Sequence, residues 1–235
     1  MPWLPGTSAA LLPPGERDAY AAELAAFLAA LHRPAPAEAP ANPFRGVPLT
    51  ARREAVEARL AEVRGGALPP EAHAILPPGS AEALREVFEA AAAAPVHTGP
   101  ALWLHGDPHP HNVVVEPEYA DDPGNPDDPD GVRPGAVDGR RSRGVRLAAV
   151  VDFGDLTAGD PASDLGVAWM HFTGAGRARF RAAAQAGGAA YDDAVWRRGR
   201  GWAVAYGLIA ALHPPAEPLH AVGLHTLAGL LAAAD

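Results

Sequence analysis

The 235-residue chain has no cysteine, and every one of its 19 basic residues is arginine, so lysine is absent too. Without cysteine there can be no disulfide, thiolate metal site or cysteine nucleophile, which suits a reducing compartment. A cytoplasmic location is therefore expected. No apolar run approaches the roughly 20 residues needed to span a membrane. Met1 to Gly15 shows neither a charged leader nor a long apolar core. Clustered positive charge is also lacking: 28 acidic residues outnumber the 19 basic ones, for a net charge of −9. That balance argues against nucleic acid, whose binding releases counterions to clustered cations, and favours cationic small molecules as partners. The abundance of Ala, Gly, Pro and Arg fits a GC-rich coding sequence. Lysine missing from surface positions therefore has no structural meaning of its own.

The length suffices for one domain with a full core. After Pro13-Pro14-Gly15, apolar residues at Tyr20, Leu24, Phe27, Leu28 and Leu31 fall at helical steps and predict a helix over Glu16–His32. Prolines punctuate Arg33 to Pro48, predicting a loop. Thr50 and Ser80 are candidate caps for helices reaching about Arg64 and Ala94. Ala101–Leu104, Val113–Glu116 and Val145–Val151 read as short strands. Residues 117–144 hold almost no apolar side chains and are rich in Asp, Pro, Gly and Arg, which predicts a disordered insertion. An Asp-rich calcium loop is the alternative there, but EF-hand spacing and its closing Glu are missing. Pro161 can open a helix with a buried face at Leu165, Val167, Ala168 and Trp169. Further helices are expected over Ala175–Ala186, Tyr191–Leu212 and Glu217–Ala234, with Trp169, Trp196 and Trp202 in the core.

Two loops at strand ends carry the chemistry. The first reads His-Gly-Asp-Pro-His-Pro-His-Asn from His105 to Asn112, and the second Val-Val-Asp-Phe-Gly-Asp from Val150 to Asp155. Phosphoryl transfer from a nucleotide needs a carboxylate to orient the attacking hydroxyl and oxygen ligands for Mg²⁺. Asp107 can supply the first, Asn112 and Asp152 the second. In this order, with Gly159-Asp160-Pro161 and Asp164-Leu165 following, the motifs resemble those of the aminoglycoside phosphotransferase family.

That resemblance implies an α+β, mainly α, protein-kinase-like fold of the aminoglycoside phosphotransferase and choline kinase type. It covers the large C-terminal lobe over nearly the whole chain, residues 1–235, with a short β segment carrying both loops. Residues 1–6 resemble the hinge that joins the two lobes. The small lobe, with its glycine-rich phosphate cover and the lysine that pairs with phosphates, is then expected to be missing from this sequence. By the same resemblance the activity is ATP- or GTP-dependent and Mg²⁺-dependent phosphorylation of a small-molecule hydroxyl, on an aminoglycoside-, macrolide- or metabolite-type acceptor. Asp107 is the catalytic carboxylate, Asn112 and Asp152 hold metal and nucleotide, and His105 braces the two loops rather than moving protons. Asp160 and Asp164 are structural supports, Asp164 for the backbone of the first loop and Asp160 as a helix cap. Asp155, Asp192, Asp193 and Glu217 are candidate acceptor contacts, since acidic groups attract a cationic sugar.

Two other readings stand beside this one. A catalytically inactive kinase-like remnant could bind a ligand or partner. Alternatively, His105, Asp107, His109 and His111 alternate and on a strand would share one face, as ligands of a metal-dependent hydrolase. Pro108 and Pro110 oppose such a strand.

Overall fold

The computed structural model describes residues 4–119, 142–187 and 191–232. Helices dominate. After a short strand β1 (Thr7–Ser8), α1 (Pro14–Arg17) and α2 (Ala21–Leu31) are joined through a 3₁₀ turn at Asp18–Tyr20. Leu24, Ala25 and Leu28 of α2 are buried, the face expected from the apolar spacing. The loop that follows leads to α3 (Arg53–Arg64) and α4 (Ser80–Ala92).

Neither expected cap forms. Leu49–Arg52 is a 3₁₀ turn containing Thr50, and α3 begins after it with no side-chain cap. Gly79, at φ 92°, occupies the cap position before α4. Ser80 is then the first helical residue, buried, with no hydrogen-bond partner for its hydroxyl.

Strand β2 (Leu102–Leu104) leads into the first loop, and β3 (Val113–Tyr119) leaves it. Strand β4 (Ser142–Val150) pairs antiparallel with β3, from Val113 opposite Val150 to Tyr119 opposite Ser142. This ladder extends into 117–119 and 142–144, which the sequence assigned to the insertion. An ion pair between Glu116 and Arg146 links the two strands just before that extension. Pro117 is tolerated because β1 pairs with β3 only at Val114 and Val115, and among the described residues no other strand pairs with that side of β3. The remainder of the expected insertion, 120–141, lies outside the described residues, as does half of the hinge-like start, residues 1–3.

Strand β5 (Thr157–Gly159) follows the second loop and pairs antiparallel with β2. The chain continues through α5 (Ala162–Leu165), α6 (Ala168–His171), α7 (Gly174–Ala186), α8 (Asp193–Ala211) and α9 (Pro218–Ala232). Helix α8 is the spine of this half, packing on α9, α4 and α5 and burying Trp196, Trp202 and Leu208. Trp169 joins them in the core. No helix among the described residues is long and apolar enough to cross a membrane.

Candidate active site

The β3–β4 register decides which side chains meet. With Val113 opposite Val150, Asn112 and Asp152 stand at the same end of neighbouring strands. The Val151 N–H donates to the Asn112 carbonyl at 2.9 Å, tying the two loops directly. Asn112 is buried and its amide donates to the Asp107 carbonyl at 2.9 Å. That bond closes the first loop into a compact turn, so Asp107, five residues earlier, returns to Asn112.

Asp152 is exposed and adopts φ 62°, ψ 70°. Among the described residues it is the one non-glycine residue at positive φ. A non-glycine residue held there costs on the order of 1 kcal/mol. Its side chain accepts from the Gly154 N–H at 3.3 Å.

Asp164 is fully buried and holds the first loop from beneath. It accepts from the backbone N–H of His105 at 2.8 Å and of Gly106 at 3.0 Å. A third contact comes from His32 Nε2 at 3.2 Å, while His32 Nδ1 lies 2.5 Å from the Tyr191 hydroxyl. Burial of a carboxylate is tolerable only when its lone pairs are so occupied. Gly106 has φ 88°, and a Cβ there would stand 2.2 Å from the Asp155 carbonyl oxygen. Only glycine lets the two loops approach this closely.

His105 uses both ring nitrogens inside the fold. Nδ1 accepts from the Asp107 N–H at 3.3 Å, which places the proton on Nε2, and Nε2 donates to the Val151 carbonyl at 3.0 Å. It therefore bridges the loops. Neither nitrogen is left for a metal. His109 Nδ1 likewise accepts from the His111 N–H at 3.2 Å. Burial lowers the pKa of both His109 and His111, although Asp107 pulls His109 the other way. Residues 105–112 form a turn ending in a 3₁₀ segment, Pro110–Asn112, rather than a strand. Among the described residues no three His, Asp or Glu side chains are grouped to hold a metal. The hydrolase ligand set is thus not assembled, because the prolines turn the chain and backbone groups occupy both ring nitrogens of His105 and Nδ1 of His109.

Below Pro108 lies His171, which sequence reasoning did not single out. Nε2 donates to the Pro108 carbonyl at 2.8 Å, and Nδ1 accepts from the Tyr20 hydroxyl at 2.7 Å. Burial pushes its pKa from 6.5 down to about 3. The unfolded chain therefore binds a proton across that interval that the folded chain does not. Stability should fall on acidification from pH 6.5 toward 3, by up to about 1.4 kcal/mol per pH unit from this group. Above that range the group has no effect. Urea unfolding at a series of pH values checks this: His171→Gln, which can keep both hydrogen bonds, should show a shallower slope than the wild type. Equal slopes would exclude the role.

Asp160 accepts from the Ala162 N–H at 3.0 Å and pairs through both oxygens with buried Arg198, at 2.6 and 3.0 Å. Asp155 lies beside Asp107: Arg45, from the proline-rich loop, reaches both carboxylates. The other candidate acceptor contacts are engaged elsewhere. Asp192 accepts from the Val195 N–H at 2.8 Å and caps α8, Asp193 pairs with Arg181 at 2.7 Å, and Glu217 pairs with His213 at 2.9 Å. Asp193 lines a cleft of about 1190 Å³, but Arg177, Arg181, Arg197 and Arg200 line it as well, so the expected acidic lining does not form there.

Comparison with known proteins matches the chain to the phosphotransferase enzyme family, APH, over residues 1–124 and 137–202. Among solved structures, the apoenzyme of macrolide 2'-phosphotransferase MphH from Brachybacterium faecium is 21% identical, with a TM-score of 0.47 over 95% of this chain and 68% of that one. A macrolide 2'-phosphotransferase type I is 18% identical, with a TM-score of 0.46 over 100% of this chain and 69% of that one. A search of curated proteins found no match.

Proposed function

Since this chain belongs to the APH phosphotransferase enzyme family, we propose that it transfers the γ-phosphoryl group of ATP or GTP to a hydroxyl of a small molecule. Asp107 receives the hydroxyl proton as the acceptor oxygen bonds to phosphorus. The bond from that phosphorus to the β,γ-bridging oxygen breaks, and the nucleoside diphosphate leaves. A carboxylate is a weak base toward an alcohol, so its main work is alignment, with proton uptake late.

The donors present fit Mg²⁺. Asn112 offers an amide oxygen and Asp152 a carboxylate, the hard oxygen ligands this ion prefers alongside waters and substrate phosphates. When bound, Mg²⁺ supplies positive charge against the phosphate oxygens. His105, Asp164 and Gly106 position the loops without touching substrate, and Asp160 supports α5 and α8. The single observation that supports this reading best is the strand register setting Asn112 beside Asp152 while the Asn112 amide holds the Asp107 carbonyl. The acceptor is a hydroxyl compound of aminoglycoside, macrolide or metabolite type, and a cationic one suits the net charge of −9. A cytoplasmic enzyme would meet both nucleotides.

Calorimetric titration with ATP and GTP, with and without Mg²⁺, tests the site. Binding should require Mg²⁺ and should be lost in Asp152→Ala. Binding unchanged by chelator or by the substitution would refute the assignment of metal ligands.

A further inference from the structure

The loop between α2 and α3 is stitched along its length to the end of the second motif, to β5 and to Asp160 just after it. Thr157 Oγ1 donates to the Pro40 carbonyl at 2.8 Å, the Asn42 amide donates to Asp155 Oδ1 at 3.1 Å, and the Asp160 N–H donates to the Gly46 carbonyl at 2.9 Å. A Cβ on Gly159 would stand 2.1 Å from the Gly46 oxygen. So fixed, the loop delivers Arg45 to the first motif. The guanidinium lies 3.4 Å from Asp107 Oδ1 and 3.7 Å from Asp155 Oδ2, and stacks 5.0 Å from the Tyr206 ring centroid.

Folding alone is a poor account of this placement. The Arg45 side chain is only 15% exposed, while its carboxylate partners are 32% and 42% exposed. Its Nε is buried without a hydrogen-bond partner, a cost that a solvated arginine would avoid. The other oxygen of Asp107 faces His109 Nε2 at 3.4 Å. His109 Nδ1 is already an acceptor, so Nε2 carries the proton and burial favours the neutral ring. The guanidinium is therefore the charged group set against Asp107, and His109 is a neutral donor beside it. Arginine suits the task better than lysine, because a planar fork can stack on Tyr206 while reaching two carboxylates.

We propose that Arg45 is the positioning residue of the reaction, fixing the Asp107 carboxylate in the orientation that accepts the hydroxyl proton. The proposal rests on the phosphotransferase reading and adds to it the residue through which the loop acts on Asp107. Because Arg45 acts through Asp107, its removal matters only while Asp107 is present.

A double-mutant cycle in turnover tests this, with phosphate release from Mg·ATP and water as the acceptor. Arg45→Met should lower kcat by about 10²-fold with little change in the KM for nucleotide, as loss of alignment does. In the Asp107→Asn background the same substitution should cost nothing further. Arg45→Lys should keep part of the activity, and added guanidinium should restore part of it to Arg45→Ala, responses that a merely structural role would not give. Equal losses in both backgrounds, or no loss at all, would overturn the inference while leaving the phosphotransferase reading intact. If Asp107→Asn turns over like the wild type, that reading fails and the Arg45 assignment fails with it. Should Arg45→Met not fold, the Arg45→Lys and Arg45→Ala measurements decide by the same comparison.

Discussion

Arg198→Met should destabilise the protein by about 3–5 kcal/mol, measured by denaturant unfolding, even though Arg198 is not among the residues proposed to touch substrate. Arg198 is 3% and Asp160 5% exposed, and two short hydrogen bonds join them. Removing the guanidinium would leave a buried carboxylate with only the Ala162 N–H as a donor, and would also strip a partner from the Pro95 carbonyl. An uncompensated buried charge is among the few single changes that reach this size. The pair links β5 and the start of α5 to α8, so its loss should also loosen the ground beneath Asp164. Asp160→Asn should cost less, since the asparagine oxygen can still accept from the Ala162 N–H and from Arg198. A loss below about 1 kcal/mol for Arg198→Met would mean that the site tolerates an unpaired Asp160.

Asp107→Asn should lower turnover by about 10² to 10⁴-fold with little loss of stability. The carboxamide is nearly isosteric, so alignment through the Arg45 contact changes little in shape, while the capacity to take up the hydroxyl proton disappears. The Asp107 backbone bonds, to His105 Nδ1 and from the Asn112 amide, do not depend on the side chain. Unfolding should therefore be close to that of the wild type. Comparison of kcat and of unfolding midpoints for the same preparation separates the two effects. Equal turnover in the variant would remove Asp107 from the chemistry.

The contrast between these two aspartates shows what the sequence could and could not reveal. Asp107, Asn112 and Asp152 stand in short local motifs, where chemistry fixes the spacing, and the helical periodicity of α2, α7, α8 and α9 is equally local. The brace from Asp164 to the first loop was legible because its position after the second motif is part of the same resemblance. Arg45 was not legible: it comes from a proline-rich loop with no regular period, and it meets Asp107 across 62 positions of sequence. His171 and His32 were hidden for the same reason, since a lone histidine at the end of an apolar helix says nothing about the carbonyl or carboxylate it will meet. The two missed caps show tertiary packing overriding local chemistry. Ser80 is drawn into the buried face of α4, and glycine at φ 92° turns the chain before it. Strands of two or three residues, such as β1 and β5, are too short to carry a pattern at all.

The most direct measurement is mass-spectrometric detection of phosphoryl transfer from Mg·ATP and Mg·GTP to a panel of hydroxyl compounds: aminoglycosides, macrolides and amino alcohols. The account predicts that at least one acceptor gains the mass of a phosphoryl group with stoichiometric nucleoside diphosphate release, and that Asp107→Asn and Asp152→Ala abolish the product. Folded protein that binds Mg·nucleotide yet phosphorylates no acceptor, or a product formed equally by Asp107→Asn, would contradict it.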